Sequence, residues 1–184
     1  MSRSIHRFDP PERFVAGTVG QPGDRTFYLQ ASGSGRTVSV ALEKVQVQVL
    51  AERLEELLET ARRSGAEIPV AAPREMEDTA PLDSPVEEEF RVGNMGLAWD
   101  GEAKRVVVEA LAQAEPAEGE EVEPLSDTDE GPDALRVLLS PPMARAFVRR
   151  AQRVVAAGRP PCPLCTLPLD PEGHICPRQN GHRR

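Results

Sequence analysis

Phe14-Val15-Ala16-Gly17-Thr18-Val19-Gly20 returns, changed but recognisable, as Phe90-Arg91-Val92-Gly93-Asn94-Met95-Gly96. Phe and both glycines coincide at an offset of 76, as do Asp24 and Asp100. Further along, Val38, Val40 and Leu42 align with Leu135, Val137 and Leu139 at an offset of 97. The apolar positions behind them keep that offset: Leu50 with Phe147, Leu54 with Ala151, Leu57 with Val154, Leu58 with Val155. The offset grows by 21, and an acidic tract inserted at 113–133 is 21 residues long. A fixed order of matching elements is the mark of an internal repeat.

Each copy reads as three strands and a helix. In the first, 14–19, 25–31 and 37–42 are rich in Val, Thr, Phe and Tyr, as strands are. Gln21-Pro22-Gly23-Asp24 and Ser32-Gly33-Ser34-Gly35 are turns short enough to make antiparallel neighbours. From Glu43 to about Ser64 the apolar residues Val47, Leu50, Leu54, Leu57, Leu58 and Ala61 recur at helical spacing, and Gly65 stops the helix. The second copy predicts strands at 89–99, 105–112 and 134–139, with Asp100-Gly101 as a turn. Ser140-Pro141 then opens a helix that runs to Gly158, with Ser as N-cap and Pro at the first position.

The expected fold is therefore α+β: an internal duplication of a βββα unit, antiparallel within each unit, with pseudo-twofold symmetry and a small C-terminal zinc-knuckle or ribbon-like element. The expected organisation is a first half at 1–73, an acidic linker at 74–89, a second half at 90–158 carrying the acidic loop 113–133, and a knuckle tail at 159–184. One continuous sheet, two packed sheets and a partly closed barrel all satisfy this pattern.

The tail carries the one constellation that demands a specific chemistry. Cys162-Pro163-Leu164-Cys165 is followed, after eight residues, by His174-Ile175-Cys176, which uses every cysteine in the chain. Thiolates and an imidazole at this spacing suit tetrahedral Zn²⁺, and four protein ligands make a closed, structural site. His182 is the alternative fourth ligand, although a ligand next to Cys176 costs less ordering. Thr166 follows the second cysteine, where knuckles often have Gly. A Cys162–Cys165 disulfide or a redox C-x-x-C is the alternative, but thioredoxin-like use expects a βαβ setting and a helix opening after the motif, and Leu167-Pro168 cannot continue one. Three thiolates alone would be too electron-rich to acidify water, which argues against catalytic zinc.

Charge is unevenly spread. The net charge is −8, yet 74–89 holds seven acids against Arg74, and 113–133 holds nine acids and no base. Such tracts, poor in apolar surface, are expected to be mobile. They solvate the chain or mask a basic face. From Pro141 to Arg184 there are eight arginines against Asp170 and Glu172. Arg145, Arg149, Arg150 and Arg153, with Arg178, form the candidate binding surface. No P-loop, H-E-x-x-H or G-x-S-x-G occurs, so no catalytic residue and no cofactor-binding residue is named. Gly17-x-x-Gly20 and Gly93-x-x-Gly96 are expected at close strand approaches or bulges. No apolar run is long enough to span a membrane and no secretory h-region opens the chain, so the expected compartment is the cytoplasm.

Through Arg7-Phe8-Asp9-Pro10-Pro11-Glu12-Arg13-Phe14, Gly93-Asn94-Met95-Gly96-Leu97-Ala98 and the CPLC…GHICPRQNG tail, the chain resembles an uncharacterised full-length bacterial family, a domain of unknown function of high-GC Gram-positives. The resemblance implies no activity. It implies a partner role beside a phosphatase-like or a lipid-kinase-like protein, whose genes tend to be neighbours, and Thr166 departs from its pattern.

The leading expectation is a non-enzymatic, zinc-stabilised binding or adaptor module that offers arginines to an acidic or phosphorylated protein. The alternatives are nucleic-acid binding by the same face, which lacks stacking aromatics, and an enzyme acting on a phosphorylated metabolite in a cleft between the halves.

Overall fold

The computed structural model describes residues 2–114, 123–169 and 173–178. Seven strands and two helices follow the chain: β1 (Ile5–Phe8), β2 (Arg13–Gln21), β3 (Asp24–Gly33), β4 (Arg36–Leu42), α1 (Lys44–Arg63), β5 (Glu88–Asp100), β6 (Arg105–Ala112), β7 (Ala134–Leu139) and α2 (Pro141–Ala156). A single turn of 3₁₀ helix at Arg74–Met76 precedes β5. The sheet order is β1-β7-β6-β5-β4-β3-β2. Pairing is antiparallel within each βββ triplet and parallel where β4 meets β5 and where β1 meets β7.

The helix signals act as expected. Ser140 Oγ accepts from Met143 N at 3.4 Å with Pro at the start of α2, and Gly65 takes φ +100° just past α1. Both helices pack on one face of the sheet, where Phe14, Phe27, Leu29, Val40, Val108, Val137 and Leu139 meet Leu50, Leu54, Leu58, Phe147 and Ala151 in one core. Phe14 and Phe147 stack with centroids 4.5 Å apart, adding about 1 kcal/mol to their area burial.

β1 was not expected, since the first ten residues read as polar. It pairs with β7 at one edge of the sheet, while β2, four residues later, forms the other edge. Five Cα steps reach at most about 18 Å, whereas seven flat strands would set their edges about 29 Å apart. The sheet is therefore curled until its edges are joined by Asp9–Glu12. Arg36 crosses the seam, donating to Arg7 O while its guanidinium lies 4.4 Å from the Phe8 ring centroid.

The second sheet face is covered by the strap 74–89 and by residues 123–133 of the second tract, which corrects the reading of these stretches as mobile. In 74–89, Arg13 holds Asp78 by two bonds (2.6 and 3.1 Å) and donates to Ala80 O and Pro81 O, and Gln30 exchanges bonds with the backbone of Asp83. Leu82 is buried against Gly17, where a Cβ would stand 2.6 Å from its side chain. In the second tract, Pro124 presses on Gly96 in the same manner, at 2.4 Å. Both glycines thus sit at close approaches, and β5 is bulged between Val92 and Met95. Residues 115–122 of that tract lie outside the described residues.

Beneath the second tract is a buried polar cluster. Glu109, fully buried, accepts from Arg136 Nε (2.6 Å), Leu125 N (2.7 Å) and Arg3 Nη2 (3.2 Å). Arg136 also meets Asp127 at 2.5 Å and Ser126 O at 2.9 Å. A buried carboxylate with three donors is satisfied; unpaired, it would not be tolerated.

Candidate functional site

The tail begins where α2 ends. Pro161 and Pro168 form an antiparallel bridge, and Leu169 N donates to Pro160 O at 2.9 Å, so residues 160–169 make a small hairpin. At its tip Cys162 N donates to Leu167 O and Thr166 N to Cys162 O, both at 2.8 Å. The turn aims the backbone N–H groups of Cys165 and Leu164 at the Cys162 sulfur. Those two bonds are the main reason its pKa falls to about 6. The Cys165 thiol is pushed up, first by burial and then by the neighbouring sulfurs.

Cys162, Cys165, His174 and Cys176 bring their ligand atoms within 4.8 Å of one another. Cys162 Sγ to Cys176 Sγ is 3.9 Å, and Cys165 Sγ to His174 Nε2 is 3.1 Å. The edge of a tetrahedron with 2.3 Å bonds is about 3.8 Å, so the cluster has the dimensions of a four-ligand metal centre. A cation there would offset the crowding of sulfurs that raises Cys165. All three cysteines are free thiols. Gly173, at φ +109°, lets the chain turn into His174. His182 lies outside the described residues. Thr166 takes φ +62°, the left-handed conformation that Gly would adopt without strain.

The arginines expected to form a binding surface are arranged otherwise. Arg145 and Arg150 are buried. Arg145 bonds Pro69 O (2.9 Å) and Glu59 (3.3 Å), and Arg150 bonds Ala16 O (2.8 Å) and both Asp78 O and Oδ1 (2.9 Å each). Arg153 holds Glu77 and Asp78 O, Arg149 lies 3.9 Å from Glu77, and Arg178 donates to Leu164 O within the knuckle. For Arg149, Arg150 and Arg153 the physical reason is the 74–89 strap, whose Glu77 and Asp78 lie against them; Arg145 is met instead by Glu59 of α1.

Positive charge gathers elsewhere. A cavity of about 380 Å³ between the β2–β3 hairpin, the start of α1, β5 and the tail is lined by Arg25, Lys44, Arg91 and Arg159, with Glu43 the one acid lining it among the described residues and Pro168 of the knuckle hairpin in its wall. Arg25 lies 4.8 Å from the Phe27 ring centroid and donates to Ala157 O (3.0 Å) and Val154 O (3.4 Å) at the end of α2. Arg91 bonds Glu43 at 2.9 Å. Nothing in the sequence announced this cleft, because its four cations come from four separate segments.

The architecture is an α+β protein built on a seven-stranded mixed sheet with a Cys₃His cluster at its C-terminal end. The chain belongs to the family described as protein of unknown function DUF3090, whose model matches residues 6–176. No curated protein and no solved structure matches it. Among the described residues no helix is long and apolar enough to cross a membrane.

Proposed function

We propose that this protein is a non-enzymatic adaptor in which a structural Zn²⁺, held by Cys162, Cys165, His174 and Cys176, fixes the tail against a duplicated scaffold and so completes a basic cleft for an acidic or phosphorylated protein segment. The observation that carries the reading is the position of Pro168. It belongs to the hairpin that presents Cys162 and Cys165, and it also walls the cleft of Arg25, Lys44, Arg91 and Arg159. Folding of a small metal knuckle is coupled to its metal. Loss of the ion would remove that wall.

Duplication is supported by packing as well as sequence. α1 of the first unit packs on β5 of the second, and α2 of the second packs on β2 of the first. In a curled sheet, exchanging the units in this way is a rotation about an axis along the strands, which is the pseudo-twofold. β5 pairs first with β4 in parallel and then with β6. Its counterpart is split in two, β1 pairing with β7 in parallel and β2 pairing with β3.

Zinc fits the donor set better than harder cations, since thiolate and imidazole are its usual ligands. Four protein ligands leave no position for substrate. The cleft's acid, Glu43, is engaged by Arg91 and caps α1, which favours binding over catalysis. The test is calorimetric titration of the full chain with a phosphoserine decapeptide and its unphosphorylated form across a salt series. Lys44→Glu, on an exposed side chain, is expected to weaken binding about tenfold. Absence of binding at low salt, or indifference to Lys44→Glu, would reject the cleft.

A further inference from the structure

β5 outruns its neighbour. It lies beside β4 only as far as Ala41↔Arg91, because β4 ends at Leu42, while β5 continues to Asp100. From Asn94 onward it is paired with β6 on one side only, among the described residues. Along the other side runs a groove of about 420 Å³, floored by Met95 and Leu97 of β5 and walled by Val45, Val49 and Arg53 of α1. Val45 is 62% and Val49 43% exposed. An unpaired strand edge is a row of backbone donors and acceptors seeking partners. Beside an apolar trough, it has the geometry of strand addition.

The chain itself shows what such a groove takes. By the offsets of the repeat, Arg53 corresponds to Arg150, and β5 to β2. In the α2–β2 groove, Arg150 donates to Ala16 O on the edge of β2 and grips Asp78, while Arg149 and Arg153 flank Glu77. That groove is therefore occupied by Glu77-Asp78 of the irregular strap, which then crosses the β2 edge so that Leu82 packs on Gly17 on the other face of the sheet. In the α1–β5 groove Arg53 pairs only with exposed Glu56, one turn along its own helix, among the described residues. The acids Glu52, Glu55, Glu56 and Glu59 face a separate depression and do not line this groove.

We infer that the α1–β5 groove docks an extended segment of a partner protein: its main chain adds to the β5 edge between Asn94 and Asp100, an apolar side chain enters between Val49 and Leu97, and a carboxylate meets Arg53. This surface is separate from the basic cleft and does not depend on the metal. The probe is a labelled peptide copying residues 75–85 of this chain, titrated into the full protein by fluorescence anisotropy and followed by amide hydrogen exchange. Saturable binding is expected, with exchange slowed at 94–100 and affinity at least tenfold weaker in Arg53→Glu and in Val49→Asp. Both substitutions are at exposed positions, and circular dichroism reports whether each variant is folded. Absence of saturable binding at millimolar peptide would overturn the inference. So would binding indifferent to both substitutions, which would place the peptide in the strap's own groove. Self-association of the free protein that Arg53→Glu abolishes in sedimentation would also overturn it, by making a second copy the occupant.

Discussion

Thr166 holds a conformation that a β-branched residue adopts at a cost of about 1–2 kcal/mol, partly offset by its hydroxyl bonding Cys165 O at 2.6 Å. Thr166→Gly should relax the turn, and because knuckle folding and metal binding are one equilibrium, competition with a chromophoric chelator should show metal affinity raised about threefold or more. Unchanged or weaker affinity would mean that the hydroxyl bond matters more than the strain. Glu109 makes the complementary case. Glu109→Ala leaves Arg3 without a carboxylate partner among the described residues and removes the buried one that Arg136 shares with it, a loss expected to cost about 3–5 kcal/mol in urea denaturation. Asp127→Ala removes a partner of the same Arg136 from an exposed position and should cost less than about 1 kcal/mol. The cluster of Cys162, Cys165, His174 and Cys176 was legible in the sequence because its spacing is local. Glu109 left a fainter trace, a lone acid inside Val106-Val107-Val108-Glu109-Ala110-Leu111, and its partners, lying far along the chain at Arg3 and Arg136, could not be read from it.

The element that sequence misjudged most is the strap at 74–89. Composition said solvated, since seven acids cannot be buried alone; what it could not say is that Arg13, Arg150 and Arg153 wait for them on β2 and α2. Asp78 is the junction. Its carboxyl is held below its ordinary 3.8, chiefly by hydrogen bonding to Arg13, against an opposing effect of burial. A depressed carboxyl contributes stability that is present above the unfolded pKa of about 3.9 and is lost as pH falls through the folded value. Thermal unfolding measured from pH 5 down to pH 2 should therefore fall more steeply in the wild type than in Asp78→Asn. Parallel curves would deny Asp78 its role. β1 was missed for a related reason: four residues, one of them buried Phe8, are too few to show a period, and only the β7 edge gives them a place. β6 and β7, by contrast, fall where alternation and turn residues put them, Arg105–Ala112 and Ala134–Leu139.

At the scale of the whole molecule two stabilities are joined end to end. The core of the curled sheet and two helices contains no member of the Cys/His cluster, and among the described residues the tail has little apolar burial beyond Cys162 and Cys176, with Leu164, Leu167 and Ile175 exposed. Chelation should consequently release the tail and leave the core folded: hydrogen exchange should accelerate at 160–169 while β6, β7 and α2 keep their protection. The order of strands and helices and the Cys/His cluster could be read from the sequence, but not the closure that brings α2 back to β2, because ring closure is a property of how strands curl and not of any local pattern. The order of the tail turns on whether an ion holds it. Elemental analysis of the full chain, purified without a tag or added metal and paired with thiol titration of the native protein, measures this directly. One zinc per chain with three thiols that react only after chelation is the predicted result; metal-free protein whose three thiols titrate freely while the core remains folded would contradict it.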